Sequence, residues 1–506
     1  MEAAITGEVD VPTGAKNWPA FASRATGLLA SPELRVLGGV AVYSFLAILF
    51  LRDFRISDPD IWWHIRTGQW IFDHQSVPRT DMFSLYAKGQ TWVAYSWMFE
   101  VLAALLFRHF SFNGIVFYEL TVRLLLAVAL FRLVHDLLPK FWRAAGLALL
   151  GLYALSYVIG PRPGMITILF VILELHILLS AQRTGRAGRL WFLPALFALW
   201  ANWHVQFVYG LFVLGVFACE PLLNALLRYH PKQGKPLPAA RLWVCLGVSA
   251  VATLANPYGA KVYGVIFDFV AERSLFDQIV ELMAPTFREP QHFTMLLLVL
   301  GAAFALGWRR DARPLWLILL ACSAFLAFRS VREIWFAVVV SLGMIADWPA
   351  AQRPSPRTTE RQRLAIAVLV LAVVVGAYRR YGVSNDFLEM AVAGKFPEAA
   401  SRYIEMHDLP GPLYNHFDWG GFLIWRLPQL PVAMDGRGNL YPADRVARFT
   451  STWKGAPDWA ADPDLRQANL VIAQRKAPLA ALLAQDTDFE NVYQDVQAVV
   501  FRRRQR

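Results

Sequence analysis

Long apolar runs separated by short polar clusters dominate most of the chain. A helix that crosses a bilayer needs about 20 mostly apolar residues. On that measure spans are expected at about 36–51, 114–133, 143–159, 164–181, 190–203, 205–227, 242–256, 292–308, 313–328, 333–347 and 363–378, eleven in all. A shorter stretch at 97–107 carries Glu100 and is expected to lie in the membrane interface as a helix. After residue 378 the pattern changes: helical periodicity over 396–406, a turn-rich centre, and β-like runs at 431–434 and 470–473. The expected fold is therefore an all-α polytopic membrane domain at 36–378, plus a C-terminal soluble α/β domain at 379–506 of ordinary domain size.

Composition supports a lipid rather than an aqueous environment. Of 506 residues 56% are hydrophobic and 17% charged, whereas soluble domains run about 45–50% apolar and about 25% charged. The 49 Lys and Arg against 38 Asp and Glu give a net charge of +11. In membrane proteins such an excess gathers in cytoplasmic loops and against anionic lipid. No nucleic-acid partner is expected, because the one basic run is Arg502-Arg503-Arg504 at the end.

The positive-inside rule tests the span count. With 1–35 as a cytoplasmic segment, the loops placed inside are 134–143, 182–189, 228–241, 309–313 and 348–363, and all five are basic. Counting 97–107 as a span would place the three arginines of 182–189 outside. Residues 1–34 are polar and mixed in charge, so they are not read as a cleaved signal peptide. Three sizeable segments then lie outside: the large loop 52–113, the loop 256–292, and the tail. Cys219, Cys245 and Cys322 sit in apolar stretches without metal-site spacing.

The first outside loop is richest in chemistry. Asp58-Pro59-Asp60-Ile61-Trp62-Trp63-His64-Ile65-Arg66 brings two carboxylates, a histidine and an arginine to the membrane surface. Indole rings prefer the headgroup level, and a carboxylate there can bind a divalent cation or act as general base. The competing reading is an interfacial helix that Asp58 caps and Pro59 opens. Four further polar groups at span ends fall on the same face: Arg162 between two prolines; Asn202-Trp203-His204-Val205-Gln206; Asn256-Pro257-Tyr258-Gly259; and Arg329-Ser330-Val331-Arg332-Glu333. Polar groups at these depths are costly and are functional candidates. Arg329, Arg332, Arg162 and Arg66 are the candidates for binding a donor phosphate, since Arg forks onto phosphate oxygens. His204, Asn202 and Asn256 are candidates for binding substrate, and Asp277 and Glu281, at i,i+4, for supplying a further carboxylate. The structural alternatives are snorkelling or an Arg332 pair with Glu333 or Glu281.

Asp60-Ile61-Trp62-Trp63-His64-Ile65-Arg66 resembles the acidic motif after the first helix of GT-C integral-membrane glycosyltransferases, among them the catalytic subunits of oligosaccharyltransferase. Phe417-Asp418-Trp419-Gly420, followed by Val432-Ala433-Met434-Asp435-Gly436-Arg437, is similar to the Trp-Trp-Asp-Tyr-Gly segment of their C-terminal domain, which helps bind the acceptor sequon. The resemblance implies a transferase, inverting where the acceptor attacks directly, with Asp60, Asp58 and His64 catalytic and Asp418 and Trp419 binding the acceptor. It implies a divalent cation, Mg or Mn, on Asp60. The second outside loop, 157–165, offers Arg162 and no carboxylate, which favours the branch using lipid-monophosphate donors. The expected partners are a polyprenyl-phosphate sugar, an acceptor glycan, lipid or protein, and membrane lipids. The expected location is a bacterial inner membrane with a periplasmic tail. Protein glycosylation by an oligosaccharyltransferase, and a non-enzymatic lipid transporter or envelope-assembly scaffold, are the rival readings.

Overall fold

The computed structural model describes residues 31–54, 56–230, 237–271, 280–309, 313–347 and 358–504. Asp277 and most of 1–35 lie outside the described residues.

Each expected apolar stretch forms a helix. They are α1 (Pro32–Arg52), followed after the loop helices α2 (Ile61–His74) and α3 (Trp97–Phe110) by α4 (Phe112–Leu137), α5 (Phe141–Leu155), α6 (Gly164–Thr184), α7 (Phe192–Trp203), α8 (Phe207–Leu226) and α9 (Ala239–Ala252). After α10 (Lys261–Ala271) come α11 (Pro290–Arg309), α12 (Pro314–Arg329), α13 (Ile334–Ala346) and α14 (Glu360–Arg380). Among the described residues α1, α4, α6, α8, α11 and α14 are long and apolar enough to cross a membrane, and α5, α9 and α12 are shorter apolar helices. Helices α7 and α13, with 12 and 13 residues, fall short of a full span.

Burial follows from how the apolar residues are distributed around each helix. In α13 nearly every residue is buried, as expected of a helix apolar on all sides. By contrast α14 is largely exposed apart from Ile366 and Val374. It lies against α1, where Gly39 leaves room for Ile366. Helix starts carry local signals: Ser31 accepts from Leu34 N–H at 3.2 Å, and Thr359 with Gln362 closes a capping box.

The tail contains α15 (Asn385–Ala393), α16 (Glu398–Met406), β1 (Leu413–Asn415), α17 (Gly420–Arg426), α18 (Ala443–Trp453), α19 (Pro463–Gln467), β2 (Leu470–Gln474), α20 (Pro478–Leu483), β3 (Phe489–Gln494) and β4 (Ala498–Arg503). The strands form one sheet in the order β1-β2-β4-β3. Strand β1 runs parallel to β2, with Leu413 opposite Leu470, and β4 pairs antiparallel with both β2 and β3. The β-like run at 431–434 is not a strand of this sheet. Val432 instead makes isolated bridges to Leu413 and to Ser84 of the first loop. That second bridge fastens the tail to the loop.

Turns expected on one face meet at one end of the bundle. Arg162 reaches Asp58 and Glu281; Val331 N–H bonds to Met283 O at 2.9 Å; Gln206 reaches Glu333 at 3.3 Å. The opposite end carries a separate network, in which Arg313 holds Glu220 at 2.5 Å and Arg183 holds Asp347 at 2.9 Å.

Candidate active site

Three carboxylates from two distant segments of the chain surround one guanidinium. Arg162 Nε lies 2.5 Å from Asp58 Oδ2, its Nη2 3.2 Å from Asp60 Oδ2, and its Nη1 2.5 Å from Glu281 Oε2. The loop after α1 sets the two aspartates. Asp58 Oδ1 accepts from Asp60 N–H at 2.8 Å, a turn that an Asp side chain makes with the backbone two residues on. Asp60 is then the residue before α2, and its Oδ1 accepts from Trp63 Nε1 at 3.2 Å. The expected cap thus differs: Asp58 holds the turn, Asp60 occupies the cap position, and the Asp60 side chain makes no capping bond. Pro161 and Pro163 stiffen the backbone around Arg162, and Tyr118 O–H donates to Arg162 O at 3.1 Å.

Burial and neighbouring charge set the protonation states. Burial raises Asp60 most, Arg162 pulls it back, and Asp58 and Glu281 push it up, leaving it raised to about 7. For Glu281 burial works upward, but the Arg162 guanidinium overcomes it and holds the carboxyl below its ordinary value. His64 is buried and lies tilted against Trp63, with ring centroids 3.5 Å apart. Its Nδ1 lies 3.4 Å from Glu100 Oε1. Burial, with Arg162 and His204 adding, pushes His64 well below the usual histidine range. Burial also raises Glu100 to about 8, so the pair is neutral near pH 7. The His64 ring is therefore uncharged and packed behind Trp63.

Tyr95, absent from the sequence-derived candidates, feels Arg332, Glu100, Asp60 and Arg162 together. Its ring stands 5.9 Å from that of His204. His204 is buried, and its Nδ1 lies 3.0 Å from Thr167 Oγ1, which also accepts from Trp200 Nε1 at 3.0 Å. Arg332 acts on Glu281, Tyr95 and His204. Arg329, at the last position of α12, is exposed.

The tail closes the site from the other side. Asn415 of β1 holds the next segment, accepting from Ala433 N–H and donating to Met434 O, both at 2.8 Å. That segment leads to Gly436, where a Cβ would overlap the Asp60 carboxylate. A Cβ at Gly421 would likewise meet Pro59 O. Arg437 is buried, with Nη1 2.5 Å from Asp81 and with Nε and Nη2 each 2.8 Å from Asp435. Its guanidinium carbon lies 4.7 Å above the Trp92 ring centroid. The sequence marked the run 432–437, but nothing in it pointed to Asp60.

Other candidates are engaged elsewhere. Asn202 accepts from Trp97 Nε1 at 2.9 Å and donates to Ala198 O and Ala255 O, joining α3, α7 and the end of α9. Asn256 closes its own turn, accepting from Tyr258 N–H at 2.8 Å and donating to Thr253 O at 2.7 Å. Arg66 bonds to Gln69 on its own helix at 3.4 Å. Trp419 is buried, whereas the Asp418 side chain is 63% exposed, 3.8 Å from His416. The turn at 417–419 is opened by His416, whose ring accepts from Asp418 N–H at 3.4 Å.

A resident divalent cation does not fit this arrangement. Such ions need several oxygens converging on one point. Here Asp58, Asp60 and Glu281 are separated by the nitrogens of Arg162, and no group of three or more His, Cys, Asp or Glu among the described residues is placed to hold a metal.

No protein-family model matches the chain, and no curated protein matches it by sequence. Solved structures do. The oligosaccharyltransferase of Archaeoglobus fulgidus tethered to an acceptor peptide with an NVT sequon matches at TM-score 0.52 and 12% identity, over 88% of this chain and 69% of that one. The same enzyme in the apo form matches at 0.51 and 11% over 92% and 70%. The Archaeoglobus fulgidus oligosaccharyltransferase AglB in complex with an inhibitory peptide and dolichol-phosphate matches at 0.53 and 11% over 88% and 69%. The chain shares the fold of these GT-C oligosaccharyltransferases. The shared fold covers both the helical bundle and the tail, as 88–92% coverage requires. At this identity the fold does not fix the chemistry, which has to be argued from the site.

Proposed function

We propose that this chain is a membrane glycosyltransferase that moves a sugar from a polyprenyl-phosphate carrier to an acceptor on the outer face of the membrane. The observation that carries this reading is Asp60, raised to about 7, held against Arg162 at the membrane end of the bundle and covered by Gly436 of the tail. A base poised near the working pH is what abstraction of an acceptor proton requires.

The step is a displacement. Asp60 takes the acceptor O–H or N–H proton. The acceptor attacks the anomeric carbon, the bond from that carbon to the phosphate oxygen breaks, and the carrier phosphate leaves with the electron pair. Direct attack inverts the anomeric centre. Arg332 and the free N–H groups of Arg162 meet the charge developing on the phosphate, the kind of stabilisation that counts most in a buried site. The solved neighbours include complexes with dolichol-phosphate and with peptides. For this chain Trp419 is buried, so its tail segment does not offer that indole to a peptide. A small acceptor or glycan fits better. The basic loops expected inside support a periplasmic position for this face, in a bacterial inner membrane.

The test is binding of undecaprenyl phosphate to the purified full-length protein in nanodiscs. Saturable binding is expected, weakened about 10-fold or more in Arg332→Ala, the size of a lost charge-assisted bond. The exposed Arg329→Ala is expected to have a smaller effect. Absence of saturable binding, or indifference to Arg332→Ala, would overturn the donor assignment and favour a scaffold.

A further inference from the structure

We propose that the Arg162 guanidinium is the built-in cation of this site, occupying the centre among Asp58, Asp60 and Glu281 in place of a divalent metal. The inference deepens the transferase reading and rests on it for the meaning of the site.

The geometry is specific. Asp58, Asp60 and Glu281 each meet a different nitrogen of the same guanidinium, at 2.5, 3.2 and 2.5 Å. They come from two segments separated by several helices, so the convergence is built by the fold rather than by local sequence. The Asp58 and Asp60 side chains are 10% and 20% exposed, and buried carboxylates need a partner. Arg162 is that partner. Its position is fixed twice over, by flanking prolines and by Tyr118 O–H on its carbonyl at 3.1 Å. Arg332 acts electrostatically on Glu281 as well, which brings a second positive charge to that edge of the cluster.

A guanidinium can do both jobs a metal would be asked to do. It has five N–H donors. Three are engaged by carboxylates, which leaves two for an oxygen of the donor phosphate. It cannot lose its proton, so its charge is present at any working pH. It also needs no supply from solution, so the site is complete when the chain folds.

The test titrates Mn²⁺ into full-length protein in nanodiscs and reads free Mn²⁺ by electron paramagnetic resonance. Wild type is expected to take up no stoichiometric ion. Arg162→Ala empties the centre of the three carboxylates and is expected to gain one Mn²⁺ site per chain. That site is expected to be lost again in Arg162→Ala combined with Glu281→Gln. One Mn²⁺ bound by wild type and lost in Asp58→Asn would overturn the proposal. So would a folded Arg162→Ala that leaves all Mn²⁺ free. Where Arg162→Ala does not fold, the wild-type titration decides alone. The titration measures neither donor binding nor transfer, so the failure of this proposal and the failure of the transferase reading are told apart.

Discussion

Asp60 owes its charge state to a balance among burial, one guanidinium and two other carboxylates. Because it is raised to about 7, it is half ionised near neutrality. Transfer catalysed by Asp60 as base is expected to rise with pH and level off above about 7. Asp60→Asn is expected to remove that limb and lower the rate by about 10²–10⁴-fold, the usual worth of a general base. Stability runs the other way. The folded Asp60 binds its proton more tightly than the unfolded one, so its contribution is full below about 4 and is lost as pH rises through about 7. Asp60→Asn is therefore expected to melt no lower than wild type at alkaline pH while being inactive. A pH–rate profile with melting curves at both ends of the range checks both statements. A mutant that melts far below wild type at every pH would show that Asp60 serves the fold.

At the scale of elements, the outside turns were legible because polar residues at span ends are costly and stand out against apolar runs. Arg162, His204 and Arg332 were all found that way, on the face that also carries Asp60. The asparagines were not separable on this ground. Asn202 and Asn256 satisfy backbone groups at helix ends, a need that looks the same in sequence as a ligand contact. Glu281 was legible as one half of a helical pair with Asp277 and as an alternative partner of Arg332, but not as a partner of Arg162, which comes from another turn. Gly436 was invisible. Nothing near it in sequence marks Asp60 as its neighbour, and only the pairing of Val432 with residues 83–85 brings the two together. Gly436→Ala tests that juxtaposition, since its Cβ would enter the space of the Asp60 carboxylate. Overpacking of this kind costs about 1–3 kcal/mol. The expected outcome is loss of transfer, with donor-lipid binding through Arg332 retained. If Gly436→Ala transferred at the wild-type rate, the proposed cover of Asp60 by the tail would not bear on transfer.

For the whole molecule, the issue is whether the tail and the membrane domain act as one body. The contacts between them are backbone, charge and ring contacts at once. Val432 N–H bonds to Phe83 O at 3.0 Å, Leu85 N–H bonds to Val432 O at 2.8 Å, and Trp62 of α2 packs on Phe396 and Phe422 of the tail. Arg437 is the charge at the centre, with its side chain 1% exposed and both Asp81 and Asp435 completely buried. A buried pair stripped of one partner is strongly destabilising because the remaining charge has nowhere to go. Arg437→Met removes the cation and strands two carboxylates, one on each side of the junction. The expected cost is about 3–5 kcal/mol. It should appear as loosening of the tail on loop 52–113, with the helical bundle still folded. Limited proteolysis would then cut near 428–442 in the mutant and not in wild type, while hydrogen exchange in α4, α6 and α13 stays slow. Donor-lipid binding should survive, since Arg162 and Arg332 belong to the bundle. Transfer should fall, since Gly436 would no longer be held over Asp60. If exchange instead quickened across the bundle as well, the tail would be part of a single cooperative unit, and the acceptor side could not open independently of the donor side.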